Sequence, residues 1–204
     1  MFDVDGTLTV RDCVRPFLER VGGRVGIARA LLRRPVASIG AAVRRDRDLL
    51  KAIVVGGVLR GRDVTAVEAL GQSFASDVRD GWLRTDTLAR LQWHQAAGHR
   101  TALVSASLGP YLRPLGQQLG VDAVLCTEPL LDGDRYGDGL DGANCRAAEK
   151  VRRLDAWLGA NGLRDAAIWA YGDSRGDREL LARADHSLLV KDLDVPAVPA
   201  GFVA

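Results

Sequence analysis

The chain has 204 residues, of which 47% are hydrophobic and 26% charged, and its formal net charge is +2. This composition is ordinary for a globular protein, and the length suits one domain with an insertion or two small domains. The sequence has no run of 18 apolar residues, so no membrane-spanning helix is expected. Its beginning lacks the basic and then apolar form of a signal peptide, which makes a cytoplasmic protein the default expectation.

The cysteines are few and do not form a recognisable metal or disulfide pattern. Cys13, Cys126 and Cys145 are odd in number and widely spaced. Because this spacing matches neither a zinc site nor a disulfide framework, we predict three reduced thiols.

Charge is distributed unevenly along the chain. Residues 11–62 hold 13 arginines and lysines and four acidic residues, a local net charge of +9, whereas the rest of the chain has 15 basic and 22 acidic residues. A basic segment joined to an acidic one suggests that the two parts of the chain have different functions.

An acidic pair stands at the beginning of the chain. Asp3 and Asp5 are two residues apart at the end of an apolar strand, and the alternation of side chains along a strand puts both carboxylates on the same side. Gly6 then permits a sharp turn. Two carboxylates this close cost free energy unless a cation lies between them or one of them is protonated. The pair therefore predicts a metal such as Mg²⁺, a division into nucleophile and proton donor, or both.

Residues 13–79 are predicted to form a helical cap domain inserted into the chain. Apolar residues recur there at spacings of three and four, and glycines and Pro35 divide the run into about four short helices. Asp63 is a candidate N-cap, with Ala66 at its N3 position. The alternative, in which these helices belong to one continuous α/β core, stays open.

Residues 1–12 and 80–204 alternate between predicted strands and helices. Apolar runs at 100–104, 121–127, 166–171 and 187–190 indicate a parallel sheet with helices on its faces. The first of these runs is expected to close on a small-residue turn at 105–107, and residues 128–144 are expected to form a small hairpin flap. The opening strand has only Met1 and Phe2 before Asp3 and is expected to be short and weakly anchored. The tail with Pro196 and Pro199 is expected to be loosely held.

Polar residues follow the predicted strands where a site can form. Ligands of open α/β sheets bind at the carboxyl ends of the strands. Lys150, at the beginning of a predicted helix, can lean over the same edge. Four acids, one hydroxyl and this lysine suit a metal together with a phosphate, and the residues at the strand ends are Asp3, Asp5, Ser105, Asp173 and Asp177.

These residues resemble the four signatures of the haloacid dehalogenase superfamily, in order. They are DVDGT at 3–7, the apolar run that ends in Ser105, Lys150, and GDSRGD at 172–177. The stretches 99–107 and 142–150 are also similar to those of the phosphoserine-phosphatase-like subfamily (subfamily IB), which places a helical cap directly after the first signature. The resemblance covers the chain to about Val190. It implies an α/β fold with a Rossmann-like parallel sheet, helices on both faces and an inserted all-helical C1-type cap.

The resemblance also implies a reaction. Asp3 would be the nucleophile that attacks phosphorus and forms an aspartyl-phosphate. Asp5 would be the general acid and base, which protonates the leaving oxygen and later activates water. Dehalogenases of the superfamily lack this second acid, because a halide leaves without a proton. Asp5 therefore favours a phosphatase.

Metal and phosphate ligands follow from the same resemblance. The groups implied to hold Mg²⁺ are Asp3, the backbone carbonyl of Asp5, and Asp173, with Asp177 in support from the outer shell. The residues implied to bind the phosphoryl oxygens are Ser105, Ala106 and Lys150. Lys150 would in addition offset the charge of Asp3.

The substrate is less well determined. Asp12 stands where phosphoserine phosphatases carry a glutamate that meets the substrate amine, and Asp12 and Lys51 are the candidate substrate contacts from the cap. The aspartate is shorter than glutamate, and Gly176 replaces the asparagine usual in those enzymes. We therefore expect a Mg²⁺-dependent phosphomonoesterase acting on a small or lipid-linked phosphate ester. Phosphoserine phosphatase proper is the alternative.

The basic residues of the predicted cap suggest a partner. Some members of the subfamily act on lipid phosphates such as phosphatidylglycerolphosphate, so peripheral contact with the inner face of an anionic membrane is one interpretation. A solvated basic face is the other. A third function, from another class, is a basic module that binds membrane or nucleic acid and retains a vestigial site. The 5% aromatic content and the lack of a nucleic-acid motif make nucleic acid an unexpected partner. The arginines concerned are Arg33, Arg34, Arg44, Arg45 and Arg47.

Overall fold

The computed structural model describes residues 1–190, so the predicted tail at Pro196 and Pro199 lies outside the described residues. The helices in this range are α1 (Val14–Arg33), α2 (Pro35–Arg44), α3 (Arg47–Leu59), α4 (Val64–Gly81), α5 (Thr85–Ala96), α6 (Gly109–Leu119), α7 (Ala148–Ala160) and α8 (Arg178–Arg183). The strands are β1 (Ala102–Leu108), β2 (Ala123–Asp132), β3 (Arg135–Asp141), β4 (Trp169–Gly172) and β5 (His186–Leu189). Within residues 1–190, no helix combines the length and the apolar character needed to cross a bilayer.

The opening residues join two groups of strands into one sheet. β1 pairs in parallel with β2, and β4 pairs in parallel with β5. Phe2 bridges in parallel to Leu103 of β1 on one side and to Tyr171 of β4 on the other. The order is therefore β5, β4, the opening segment, β1 and β2, with β3 added antiparallel to β2. The second half of β2 pairs with β3, and together they form a hairpin in the region predicted as a flap.

The opening strand is short, as expected, but it is held on both edges. Phe2 exchanges backbone hydrogen bonds with Ala102 and Val104 of β1 at 2.9 and 2.8 Å. On the other edge, the backbone nitrogen of Asp3 donates to the carbonyl of Tyr171 in β4 at 2.9 Å. The side chain of Phe2 is fully buried. The prediction of weak anchoring is wrong, because a central position gives even a short strand two partners.

Helices cover both faces of the sheet. Neighbouring residues of a strand point to opposite faces, and Leu103 and Val104 of β1 belong to different core clusters. Leu103 shares its cluster with Leu112 of α6. Val104 lies with Leu154 of α7 and Leu180 of α8. The predicted α/β class, with a mainly parallel sheet between layers of helices, is confirmed.

Residues 14–81 are occupied by α1 to α4. α1 and α4 have 20 and 18 residues and are longer than the short helices predicted. Asp63 caps α4 as predicted, since its side chain accepts a hydrogen bond from the backbone nitrogen of Ala66 at 2.9 Å. α3 packs closely on α1 at Gly57, where a Cβ would overlap Ala30. α3 also contacts the β2–β3 hairpin, whereas α4 packs against α6.

β1 continues where a turn was predicted. Residues 105–107 belong to the strand, and the pairing with β2 shifts register between Val104 and Leu108. Small side chains favour a turn locally, but most of this strand is buried and its backbone remains extended. The prediction of a turn at 105–107 is wrong. The extended strand instead delivers Ser105, Ala106 and Ser107 to the edge of the sheet.

Candidate active site

The opening turn brings Asp3 close to Asp173, which follows β4. Asp3 ends the short central strand, and its residue is 6% exposed. The chain then turns at Gly6, whose φ of +83° lies in the left-handed region that favours glycine. A Cβ at Gly6 would overlap the carboxylate of Asp173. Thr7 Oγ1 donates to Asp173 Oδ1 at 3.4 Å, so the turn itself contacts the second acidic loop.

Lys150 lies between two buried carboxylates. Its Nζ donates to Asp3 Oδ1 at 2.6 Å and also to Asp177 Oδ1. Burial disfavours the ammonium, but the charges of Asp3 and Asp177 outweigh burial and raise the pKa of Lys150. For the carboxyl group of Asp3, burial also disfavours the charged form and therefore raises the pKa, and the Lys150 ammonium opposes this effect. Lys150 therefore stays charged and balances part of the acidic cluster.

Asp177 is both a local cap and a partner of the lysine. Its Oδ2 accepts hydrogen bonds from the backbone nitrogen and the Oγ of Ser174 at 3.0 and 2.9 Å. These bonds close a capping box around the 3₁₀ turn at 175–177. Its other carboxylate oxygen contacts Lys150. The motif thus uses one side chain to shape its own turn and to hold a residue of α7.

Asp3, Asp173 and Asp177 form a group that can hold a metal ion. Each offers one carboxylate oxygen, and these three oxygens lie within 4.8 Å of one another. Hard oxygen ligands of this kind suit Mg²⁺. Burial and the negative charges of Asp3 and Asp177 raise the pKa of Asp173 to about 6. Because one lysine balances three acids, a divalent cation would relieve the remaining repulsion.

Asp5 has a separate set of partners. Its Oδ2 accepts a hydrogen bond from Ser107 Oγ at 2.7 Å, and its Oδ1 accepts one from the backbone nitrogen of Cys13 at 2.9 Å. Burial, followed by the negative charges of Asp12 and Asp3, raises the pKa of Asp5 to about 7. A carboxyl group that exchanges its proton near neutral pH is suited to general acid–base catalysis.

Ser105 and Ala106 lie at the same edge, next to Lys51 of α3. Ser105 is buried, and its Oγ accepts a hydrogen bond from the backbone nitrogen of Ser107 at 3.2 Å. Lys51 Nζ donates to the carbonyl oxygen of Ala106 and, at 2.8 Å, to Asn144 Oδ1. Burial lowers the pKa of Lys51 to about 8. Lys51 therefore ties the helical segment to the end of β1.

All of the predicted site residues line one cavity of about 520 Å³. Asp12 is exposed, and its Oδ1 accepts a hydrogen bond from the backbone nitrogen of Arg15 at 3.1 Å, in the first turn of α1. Part of the lining comes from α1 and α3 and is apolar. It consists of Val14, Leu18, Ile27, Leu50 and Val54. The sheet edge and the first turn of α7 contribute Asp3, Asp5, Ser105, Ala106, Lys150, Asp173 and Asp177. The cavity thus joins a charged side to an aliphatic one.

Comparison with known proteins decides the family. The sequence profile of the haloacid dehalogenase-like hydrolases matches residues 1–182. The chain belongs to the haloacid dehalogenase-like hydrolase family. The membership predicted from the four signatures is confirmed, and with it the prediction of a hydrolase.

Relatives of this haloacid dehalogenase-like hydrolase are found by sequence and by structure. Protein CicA of Caulobacter vibrioides (strain NA1000 / CB15N) is 39% identical over 186 residues, which are 90% of this chain and 82% of CicA. A protein with unknown function from Bordetella pertussis Tohama I has a similar crystal structure, with a TM-score of 0.75 and 25% identity over 92% of this chain and 87% of that chain. The phospho-aspartyl intermediate analogue of phosphoserine phosphatase is similar with a TM-score of 0.59 and 16% identity, over 92% of this chain and 83% of that chain. The last likeness shows a shared fold and confirms the expected phosphoserine-phosphatase-like architecture.

Several residues that line or support this hydrolase site were not predicted from the sequence. Ser107 holds Asp5 through the 2.7 Å hydrogen bond, and its place two residues after Ser105 was an available signal. Asn144 accepts from Lys51 and donates to Asp48 Oδ1 at 2.6 Å. Asn144 lies in the stretch 142–150 that resembles the phosphoserine-phosphatase-like subfamily, but its bonds depend on where α3 lies against the sheet edge, which that resemblance does not give. Three arginines also line the cavity without having been predicted there: Arg15, Arg47 and Arg146.

Proposed function

We propose that this protein is a Mg²⁺-dependent phosphomonoesterase that acts through an aspartyl-phosphate. The observation that carries the proposal is the contact of Lys150 Nζ with Asp3 Oδ1 at 2.6 Å. A carboxylate nucleophile must be ionised and fixed in direction, and a buried ammonium at this distance favours both. The likeness in fold to a phospho-aspartyl intermediate analogue of phosphoserine phosphatase supports the same chemistry.

Asp3 and Asp5 divide the reaction between them. In the first step, an oxygen of Asp3 bonds to phosphorus while the bond from phosphorus to the ester oxygen breaks, and Asp5 donates its proton to that leaving oxygen. In the second step, Asp5 takes a proton from water, the water oxygen bonds to phosphorus, and the bond to Asp3 breaks. Inorganic phosphate leaves, and both carboxyl groups return to their starting states. The raised pKa of Asp5, about 7, supports its use first as an acid and then as a base.

Mg²⁺ fits the residues at this edge of the sheet. Asp3, Asp173 and the backbone carbonyl of Asp5 would hold it, with Asp177 in support from the outer shell. The fit rests on the oxygens of Asp3, Asp173 and Asp177, which lie within 4.8 Å of one another. When bound, the ion supplies electrostatic stabilisation of the phosphoryl oxygens.

The phosphoryl group would lie against Ser105, Ala106 and Lys150. Ser105 offers a hydroxyl group from the end of β1, and Ala106 adds its backbone. Lys150 offers a buried ammonium that Asp177 holds in place through Oδ1. Such pre-arranged charge stabilises the phosphoryl oxygens without a reorganisation cost at the moment of reaction.

The lining of the cavity favours a phosphate ester with an aliphatic part, either small or lipid-linked. Five aliphatic side chains from α1 and α3 line the cavity and suit an aliphatic part of the leaving group. Phosphoserine is the second candidate, because Asp12 also lines the cavity. The two candidates are distinguished by comparing kcat/KM for L-phosphoserine with kcat/KM for hexyl phosphate. A preference for L-phosphoserine would reverse our assignment.

We also propose that α2 makes peripheral contact with an anionic membrane. This helix turns small residues, Ser38 and Ala41, inward and large aliphatic ones outward. Val36, Ile39 and Val43 are 85%, 65% and 78% exposed at a spacing that puts them on one face. Arginines at both ends of α2 would attract anionic lipid. They are Arg33, Arg34, Arg44, Arg45 and Arg47.

Vesicle sedimentation tests the membrane contact. The protein should sediment with vesicles that contain phosphatidylglycerol and remain free with phosphatidylcholine alone. Ile39→Glu should abolish this binding, whereas Leu131→Glu, at a residue 55% exposed in the hairpin, should leave it unchanged. Equal binding by both variants would contradict a role for α2, and binding to duplex DNA in place of vesicles would favour a nucleic-acid partner.

Substitution of Asp3 tests the phosphatase. Asp3→Asn should lower the hydrolysis of p-nitrophenyl phosphate at least about a thousandfold, because the amide cannot form the covalent intermediate. Asp132→Asn, at an exposed residue of the hairpin, is the control. Circular dichroism should show both variants folded. Full activity in Asp3→Asn would end the proposal, and no Mg²⁺-dependent turnover of any monoester by the wild type would favour a binding module with a vestigial site.

A further inference from the structure

A second cavity of about 610 Å³ adjoins the catalytic one. The two cavities share four lining residues, which are Arg47, Arg146, Ser174 and Gly176. The second is rich in arginine, because Arg45 and Arg175 line it together with Arg47 and Arg146. A group bound there would be a neighbour of the phosphate ester in the catalytic cavity.

The arginines of this second cavity lack acidic partners. Among residues 1–190, none of the four takes part in an ion pair, whereas Arg153 pairs with Glu149 at 2.8 Å. The lining also contains two acids, Asp46 and Asp48, and both already accept hydrogen bonds.

The two acids that line the second cavity make hydrogen bonds to neighbouring parts of the fold. Asp46 caps α3 by accepting from the backbone nitrogen of Leu49 at 2.9 Å. Asp48 accepts from Asn144 Nδ2 at 2.6 Å. Four guanidinium groups and two engaged carboxylates leave the cavity with an excess of positive charge, which suits an anion.

Backbone features hold two of the arginines at the cavity. Arg45 ends α2 with a φ of +56°, a left-handed conformation in which glycine is usual at this position of a helix. Arg146 packs over Gly176, where a Cβ would lie 3.2 Å from Arg146 Nε. The backbone nitrogen of Ala147 donates to the carbonyl of Gly176 at 2.9 Å, which fixes the same loop. Arg146 is thus placed at the junction of the two cavities.

We propose that the second cavity binds a second phosphate-type anion carried by the leaving group of the substrate. Guanidinium groups bind phosphate oxygens through paired, charge-assisted hydrogen bonds, and several around one cavity suit a phosphate or a phosphodiester better than a carboxylate beside an amine. The inference rests on the proposed phosphomonoesterase and narrows its substrate to a monoester with a second phosphate group nearby. That group can come from a soluble bisphosphate or from the diester of a lipid headgroup.

Matched substrates and variants test this inference. Propane-1,3-diol bisphosphate and propyl phosphate differ in the second anion alone, and the measured quantity is the ratio of their kcat/KM values. Arg45→Gln/Arg175→Gln, at residues that line the second cavity only, should lower this ratio at least about tenfold. Arg79→Gln/Arg164→Gln makes the same change in net charge at exposed residues that line neither cavity and should leave the ratio unchanged. Equal ratios in the two double variants would overturn the inference.

A binding measurement separates this inference from the proposed function. Calorimetric titration of the Asp3→Asn protein with the bisphosphate should show at least about tenfold tighter binding than with propyl phosphate, and Arg45→Gln/Arg175→Gln should remove the difference. If the wild type hydrolyses no monoester but this difference is found, the phosphatase proposal fails and the anion site stands. No difference in affinity would overturn the site. The same titration with dihexanoyl phosphatidylglycerolphosphate and with the soluble bisphosphate then compares their affinities and shows which source of the second phosphate the cavity prefers.

Discussion

Lys150 and Asp3 are 147 positions apart in the chain, yet Lys150 Nζ lies 2.6 Å from Asp3 Oδ1. The contact joins the beginning of α7 to the central strand of the sheet. Asp177 completes it from the other side of the ammonium. One buried cation therefore holds together two segments that carry the acids of the site.

Removal of this cation should affect both activity and stability. Lys150→Met leaves Asp3 and Asp177 buried without their counter-charge. Without metal, we expect its free energy of unfolding to be lower by about 3 kcal/mol. Its phosphatase activity should fall at least about a hundredfold. Mg²⁺ should restore part of the stability, because it binds the same carboxylates. Urea unfolding with and without Mg²⁺ measures this. The control Arg152→Met breaks an exposed pair on the same helix, which solvent screens, so it should cost much less stability than Lys150→Met. Equal losses in both variants would contradict the role of Lys150.

Mg²⁺ should stabilise the folded protein through Asp173. A ligand that binds only the folded state adds about 2.7 kcal/mol at a hundredfold excess over its Kd, so thermal denaturation should shift upward as Mg²⁺ is added. Asp173→Asn should remove this shift, while Asp165→Asn, at an exposed residue after α7, should keep it. EDTA should abolish hydrolysis of p-nitrophenyl phosphate. A Mg²⁺ shift that persists in Asp173→Asn would place the ion elsewhere.

Gly6 is required both by its backbone and by its neighbour. Gly6→Ala should cost about 1 kcal/mol for a left-handed alanine and should in addition displace the Asp173 carboxylate that the new Cβ would overlap. Gly162→Ala is the matched control, since its φ of +68° is similar and no heavy atom lies within 4 Å of a Cβ there. Both variants should lose stability, measured by urea unfolding. Only Gly6→Ala should lose most of its activity, and comparable activity in the two would show that the close approach to Asp173 is unimportant.

His94 should make the fold sensitive to acid. Burial, followed by the charges of the N-terminal amine, His99 and Arg90, lowers the pKa of His94 from 6.5 to about 3. Its ring nitrogens contact His99 Nδ1 at 2.8 Å and the Tyr171 hydroxyl at 3.0 Å, and Arg90 also donates to that hydroxyl. Because the unfolded chain takes up the proton first, the folded state loses stability as pH falls below about 6.5, by roughly 1 kcal/mol per pH unit until the folded pKa is reached.

The variant His94→Gln isolates that contribution. Its free energy of unfolding should fall less than that of the wild type between pH 7 and pH 4.5, whatever other groups titrate in the same range. His186→Gln, at an exposed imidazole stacked on Trp169, is the control and should follow the wild type. Parallel pH profiles for all three proteins would contradict the assignment to His94.

The elements of the fold were largely predictable from local patterns. Apolar runs of strand length between helical repeats predicted the α/β alternation, and Asp63 predicted the beginning of α4, because these signals act within a few residues. The turn expected at 105–107 and the weak opening strand were wrong for one reason. Small residues and a short apolar run have local preferences that pairing on both sides of the sheet overrides.

The sequence by itself determined the chemical groups of the candidate site. Asp3, Asp5, Ser105, Lys150 and Asp173 stand in short motifs whose residue types specify carboxylate, hydroxyl and ammonium groups at strand ends and helix beginnings. Tertiary structure alone decided which of these groups meet: that Lys150 lies between Asp3 and Asp177, and that Ser107 donates a hydrogen bond to Asp5. It also decided that four arginines from three segments of the chain surround one cavity. Such relationships join residues distant in the chain, and their distances depend on how helices pack across a sheet, which no short segment encodes.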